Sequence, residues 1–199
     1  MSVYTADRQT SPNSHILMPP LDASSLSTAR LTLRPLRADD ALPLFTMYSD
    51  AAFMRYWSFP LMKRFEQAVD YVAHRLQGSA AEIEIVWSVE LTATHEVIGI
   101  CSLFNLEMAA QRAEIGFGLQ SAYWGKGYMS EAARAVVDCG FDVLRLHRIE
   151  ADIDPRNRAS ARVLEKLGFV REGLLRERWI VDGEISDSAI YGLLRTDRR

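Results

Sequence analysis

Several residue types that often announce a function are scarce in this chain. Its 199 residues hold two cysteines, Cys101 and Cys139. Each lies inside an apolar pattern without the close C-x-x-C spacing of a metal or redox site, so both read as buried thiols. Four histidines (His15, His74, His95, His147) are scattered without ligand spacing, and no metal is expected. Basic residues are not in excess: 23 Lys and Arg against 26 Asp and Glu give a formal charge of -3. Nothing in that balance asks for nucleic acid, which is not expected as the main partner, although a net charge leaves room for a local cationic patch. No run approaches the roughly 18 apolar residues of a membrane span. Near the start, "HILMPPL" is short and broken by prolines, unlike a secretory signal. A cytoplasmic protein without membrane or nucleic-acid partners is the expectation.

What is present is an ordinary globular composition, 48% hydrophobic and 25% charged, at a length that suits one domain. Residues 1–28 mix Ser, Thr, Pro, Asn and Asp and read as a flexible arm ahead of a domain over 29–199. "ARLTLRPLR" reads as a strand. "ADDALPLFTMYSD" reads as a helix capped by Asp39 or Asp40, with Pro43 in its first turn. In "RFEQAVDYVAHRLQG" the stripe Phe65, Val69, Val72, Leu76 predicts a second helix ended by Gly78. "EIEIVWSVEL" and "EVIGICSLFNL" flank the turn "TATH" as a hairpin, and "RAEIGFGL" is a further strand. "RIEADID" alternates Ile149, Ala151 and Ile153 with acids as a strand does, and "NRASARVLEKLG" is a helix from Asn157 to Gly168. Two last strands surround Asp182-Gly183. The expected class is α/β (α+β), a mixed, mostly antiparallel sheet of about seven strands with about four helices on both faces.

One stretch carries chemistry. In "SAYWGKGYMSEAARAVVDCGFDVL" the residues Met129, Ala133, Val136, Gly140 and Leu144 form one apolar helix face. The turn before it holds Gly125, Lys126 and Gly127. A helix start leaves unpartnered N–H groups and partial positive charge, and glycines let an anion approach them. Neither the G-x-G-x-x-G nor the G-x-x-x-x-G-K-[ST] pattern is met, since Ser130 stands where a third glycine would. Taken alone, the turn serves a phosphate or merely starts a helix.

Three linked elements in fixed order decide between these: W-G-K-G-Y-x-x-E-A, then D-P-x-N-x-x-S, then L-E-K-L-G-F-x-x-E-G. Together they resemble the GNAT superfamily of N-acetyltransferases and, within it, the RimJ/RimL-like branch that acetylates ribosomal-protein amino termini. The likeness spans roughly 28–195. It implies a single GNAT-like domain whose sheet splays after the fourth strand, with acetyl-CoA as cosubstrate. It further implies that Tyr123, Trp124, Gly125, Lys126, Gly127 and Tyr128 cradle the pyrophosphate. Phe117, Gly118 and Leu119 would pair with the pantetheine arm, and the N–H near Phe117 would polarise the thioester carbonyl. Asn157 and Ser160 would lie near the pantetheine and the sulfur, although Asn157 serves equally as a helix cap.

Two positions depart from the family pattern. Ala122 stands where a Gln or Arg usually contacts the phosphates, and Leu164 replaces a tyrosine acid, leaving Ser160 as the remaining donor. Glu114 is the first candidate base, followed by Glu107 and Glu177. Tyr56 and Trp57, within "MRYWSFPLM", and Trp179 are candidates for the acceptor groove. The implied reaction is direct acetyl transfer in a ternary complex to a primary amine, foremost a peptide or protein amino terminus such as that of a ribosomal protein. A small amine (antibiotic, polyamine, amino-acid derivative) and a weakly catalytic acyl-CoA-binding module are the alternatives. The assembly is expected to be a monomer or homodimer.

Overall fold

A computed structural model describes residues 24–198. Eight strands form one sheet: β1 (Leu26–Ser27), β2 (Leu31–Pro35), β3 (Ile85–Leu91), β4 (Val97–Glu107), β5 (Arg112–Leu119), β6 (Arg148–Ile153), β7 (Val170–Val181) and β8 (Glu184–Leu194). Their spatial order is β1-β2-β3-β4-β5-β6-β8-β7. Five helices accompany them: α1 (Ala41–Tyr48), α2 (Ala51–Met54), α3 (Phe65–Ala80), α4 (Tyr128–Asp142) and α5 (Arg158–Leu167). Beyond the seven strands and four helices expected, the additions are the two-residue β1 and the single-turn α2. Most of the expected arm lies outside the described residues, while Leu26–Ser27 already pair with β2.

The central strands β3 and β4 carry nearly unbroken apolar runs because both their faces are covered. On one face α4 and α5 pack against Leu33, Trp87, Cys101, Leu103 and Ile115. On the other α1, α2 and α3 close over Val86 and Ile100 with an aromatic group of Tyr48, Phe53, Trp57 and Phe59. Cys101 and Cys139 are buried free thiols, and burial pushes the Cys101 thiol up to about 12. Asp182 and Gly183, both at positive φ, make the tight turn between β7 and β8. Among the described residues no helix is long and apolar enough to cross a membrane.

Two local expectations need correcting. Gly78 does not end α3, which continues to Ala80; it is buried against Glu84, and no side chain fits there, since a Cβ would lie 2.3 Å from Oε1 of Glu84. On that helix Val72 and Ala68 are buried while Phe65 and Val69 are exposed, so the buried stripe is rotated from the one expected. Asp40 precedes α1 without capping it; its carboxylate is drawn instead to Arg34, Ser88 and the N–H of Arg37.

One feature positions everything that follows. All neighbours in the sheet are antiparallel except β5 and β6, whose parallel ladder joins only Arg112, Ala113 and Glu114 to Arg148, Ile149 and Glu150. Beyond Glu114 the remainder of β5 pairs with β4 alone, and beyond Glu150 the remainder of β6 pairs with β8 alone. The sheet is open there, after the fourth strand of the sequence reading, which is β5 once the short β1 is counted.

Candidate active site

The glycine turn leads straight into α4. Gly127 is its N-cap at φ 80 and offers no side chain to the first turn, so the leading N–H groups of the helix are left open. Gly125 stands at φ 75, and a Cβ there would meet nothing within 4 Å. Positive φ at both residues is the left-handed conformation that side chains resist, and it turns successive amides the same way. The rest of the turn is tied inward. Trp124 Nε1 donates to the Leu119 carbonyl at 2.6 Å, and the Tyr123 hydroxyl donates to Glu96 at 2.5 Å. Lys126 folds back onto the Ala122 carbonyl at 3.1 Å, over the Tyr123 ring. The turn thus leaves the first main-chain N–H groups of α4 without a side-chain cap, at the partly positive end of the helix.

Sequence reasoning assigned no role to the group that holds this turn from outside. Glu131, in the first turn of α4, would by itself repel a phosphate. Thr28 Oγ1 donates to it at 2.6 Å, the Arg30 N–H at 2.9 Å and Arg30 Nε at 2.7 Å. Burial pushes the Glu131 carboxyl up, and these hydrogen bonds, with the charge of Arg30, outweigh it and hold the group below its usual range. Arg30 also donates to the Lys126 carbonyl at 3.0 Å and lies 4.4 Å from the Tyr128 ring centre. The signal in the sequence was an acid at a helix start meant for an anion, which calls for a cation from elsewhere. That cation stands about a hundred positions earlier, beyond the reach of local patterns.

From this turn the open gap between β5 and β6 runs along Phe117, Gly118 and Leu119. α5 begins beside β6, its N-cap Asn157 accepting the Ser160 N–H at 3.1 Å through Oδ1. That Asn157 oxygen is therefore engaged as a cap. Ser160 is half-buried in the first turn, and Leu164 is fully buried in the core. A gap with unpaired strand edges suits an extended, amide-bearing ligand, and the helix start at its end suits that ligand's phosphates. These residues fit acetyl-CoA, which supplies the activated acetyl group as a thioester.

The opposite face of the gap is walled by aromatics. A Cβ on Gly118 would meet Phe53 at 2.7 Å and Trp57 at 3.0 Å, so the glycine is what lets these rings lie against β5. Trp57 is packed edge-on against Tyr48. Tyr56 stands between Arg55 and Arg156, at 5.4 and 5.8 Å from its ring centre. Arg156 also grips Asp154 and reaches Glu184 at 2.7 Å, tying the end of β6 to the β7–β8 turn. Trp179 is half-buried on β7, with Arg178 over its ring.

The three candidate carboxylates are dispersed. Glu114 sits at the closed end of the gap, its Oε1 accepting from Asn105 at 2.9 Å. Glu107 is ion-paired with Arg112 at the far end of β4. Glu177 lies in a bulge of β7 at φ 53, its N–H donating to Asp187 at 2.9 Å. The structure does not bring these three together.

Comparison with known proteins agrees with this geometry. The family described as "Acetyltransferase (GNAT) domain" matches residues 30–170. A Bacillus licheniformis protein described as an uncharacterized N-acetyltransferase, p20, is 36% identical over 177 residues, covering 87% of this chain and 97% of its own. The spermidine N(1)-acetyltransferase of Escherichia coli K12 is 27% identical over 158 residues, covering 79% and 82%. A structure of Mycobacterium smegmatis RimJ in complex with CoA-disulfide superposes with a TM-score of 0.80 at 23% identity, covering 88% and 89%, which is a likeness of fold. Glycine turn, open strand edge and family match together identify an acetyl-CoA-dependent N-acetyltransferase: the chain belongs to the GNAT family.

Proposed function

We propose that the protein acetylates the α-amino group of a peptide or protein amino terminus. The observation that carries this reading is the lining of the open face: the rings of Tyr56, Trp57 and Trp179 offer an uncharged wall, and the acids at the end of β6 and the start of β8, Asp154 and Glu184, are held by Arg156. This face suits an acceptor with one amine and an uncharged body, set against Tyr56, Trp57 and Trp179. An α-amino group, with a pKa of roughly 7.7–8, is also substantially neutral near physiological pH, whereas a lysine-like amine near 10.4 is not.

In this reading the main chain of 123–128 binds the pyrophosphate, with Lys126 in a lesser role. Phe117, Gly118 and Leu119 pair with the pantetheine arm, and the Phe117 N–H takes the developing oxyanion. Asn157 holds the start of α5 so that Ser160 faces the leaving sulfur, where its hydroxyl is the proposed proton donor. A thiolate with an ordinary pKa near 8.5 asks little of that donor.

A thiol-release assay with acetyl-CoA tests the acceptor. Short peptides with free amino termini are expected to turn over, their acetyl-blocked counterparts not, and spermidine and aminoglycosides at least about tenfold less well in kcat/KM. The relationship to a spermidine acetyltransferase makes the polyamine arm the decisive one. Preference for spermidine over every peptide overturns the proposal.

A further inference from the structure

Two strands that part in register allow the open face to be located residue by residue. Glu114 stands opposite Glu150 in the last pair of the β5–β6 ladder. The same register, continued, sets Gly116 opposite Asp152 where the strands have separated. Side chains alternate along a strand. Ile149 and Ala151 belong to the core under α4 and α5, which puts Asp152 on the other face, the face on which Gly118 meets Phe53 and Trp57. Asp152 therefore looks across the gap at a residue with no side chain, next to Phe117.

We propose that Asp152 is the carboxylate that receives the acceptor amine, and that Arg178 occupies this place until the amine arrives. The Ser188 hydroxyl, fully buried, donates to Oδ1 of Asp152 and fixes the carboxylate. Its other oxygen, Oδ2, lies 3.9 Å from Nε of Arg178, a loose ion pair rather than a hydrogen bond. The Arg178 side chain is 52% exposed and sits at the β7 bulge, stacked on Trp179, free to swing aside. Glu114, by contrast, is held by Asn105 and lies three residues, about 10 Å of strand, from Phe117.

The chemistry balances with the groups at hand. The neutral amine displaces Arg178 and donates an N–H hydrogen bond to Oδ2. Its lone pair attacks the thioester carbon. As the C–N bond forms, the nitrogen becomes cationic and its proton passes to Asp152. The C–S bond breaks with its electron pair on sulfur, and the thiolate takes a proton from water, directly or relayed through the Ser160 hydroxyl, which regains its own proton from that water. Asp152 returns its proton to solvent as the amide leaves. The net change is amine plus thioester to amide plus thiol.

This inference rests on acetyl transfer to an amine, not on which amine, so the choice of acceptor can fail separately. Kinetics use whichever amine the wild-type enzyme turns over best. Asp152→Asn is expected to lower kcat about 100-fold with acetyl-CoA affinity unchanged by calorimetry, while Glu114→Gln stays within about threefold of wild type. Arg178→Ala is expected to lower the amine KM about fivefold at unchanged kcat. Near-wild-type turnover in Asp152→Asn, or a larger loss in Glu114→Gln, overturns the role of Asp152. An unchanged or raised KM in Arg178→Ala overturns that of Arg178. If Asp152→Asn does not fold, Ser188→Ala carries the test: a lowered kcat at constant acetyl-CoA affinity supports the assignment, and wild-type kcat refutes it.

Discussion

At the scale of single residues, the site depends on side chains that are missing. Ala122 has no polar side chain to offer a phosphate and Lys126 is engaged with the Ala122 carbonyl, so a phosphate held at this turn would be held by main chain. Gly127 tests this directly. A Cβ there would find only Arg30 Nη2 at 3.5 Å, so space is not the obstacle; the φ of 80 is. A β-branched side chain held at positive φ costs about 1–3 kcal/mol, and the turn would relax to a different amide direction. Gly127→Val is expected to weaken acetyl-CoA binding at least about tenfold in calorimetry. Lys126→Ala, in the same assay, is expected to change it less. Equal affinity in Gly127→Val would mean that the turn only starts a helix. This much was legible in the sequence, because glycine spacing and helical periodicity are local. Glu131 with Arg30, and Asp152, were not. The first pair is assembled across about a hundred positions. Asp152 looks in sequence like any polar residue on the outer side of an alternating strand, and only the parting of β5 from β6 makes that side a site.

At the scale of elements, the lesson lies in how β2, β3 and the start of α1 are joined. The sequence suggested Asp40 as a helix cap, but a cap bonds to its own turn, and Asp40 is instead the hub of a buried network. Arg34 donates to it at 2.8 and 2.9 Å and also pairs with Glu90 on β3, while Ser88 donates at 2.6 Å. Burial pushes the Asp40 carboxyl up, but the hydrogen bonds from Arg34, Ser88 and Arg37 outweigh it and hold it below the ordinary 3.8. A folded-state pKa below the unfolded one adds stability that is fully present above 3.8 and is lost as pH falls through the folded value. Asp40→Asn leaves Arg34, 12% exposed, short of a partner and is expected to cost about 3 kcal/mol in urea denaturation at pH 7. The gap between wild type and variant should narrow as pH falls below 3.8. A constant gap from neutral pH into that range would show that the charge is not the source. α3 went astray for a related reason: Gly78 matches a helix stop in sequence, yet Glu84 needs that glycine's empty flank for its carboxylate.

At the scale of the whole molecule, the sheet has two halves whose ladder is only three residue pairs long, while the core under α4 and α5 spans both. β1 to β5 form one half and β6, β8 and β7 the other, joined by Arg112 to Glu114 against Arg148 to Glu150. The bridge from Arg112 to Glu150 at 2.6 Å reinforces the junction at its closed end. The element order led to a mixed sheet and the family resemblance to a splay after the fourth strand; a helix between two neighbouring strands, as between β5 and β6, allows them to run parallel. How soon the two strands part was not written in their composition. Acetyl-CoA, bound along residues 115–119 and against α5, would contact both halves and act as a removable staple. Hydrogen exchange of the enzyme with and without CoA follows from this. Gap-facing amides of 115–119 and those of the α4 first turn are expected to slow, while those in the middle of β3, already paired on both sides, stay unchanged. Saturation at about 100 Kd should add about 2.7 kcal/mol of stability, read as a raised melting temperature. A stabilised protein whose gap-facing amides in 115–119 exchange as before would place the ligand elsewhere, because a ligand along the open edge of β5 shields the alternate N–H groups that β4 does not bond.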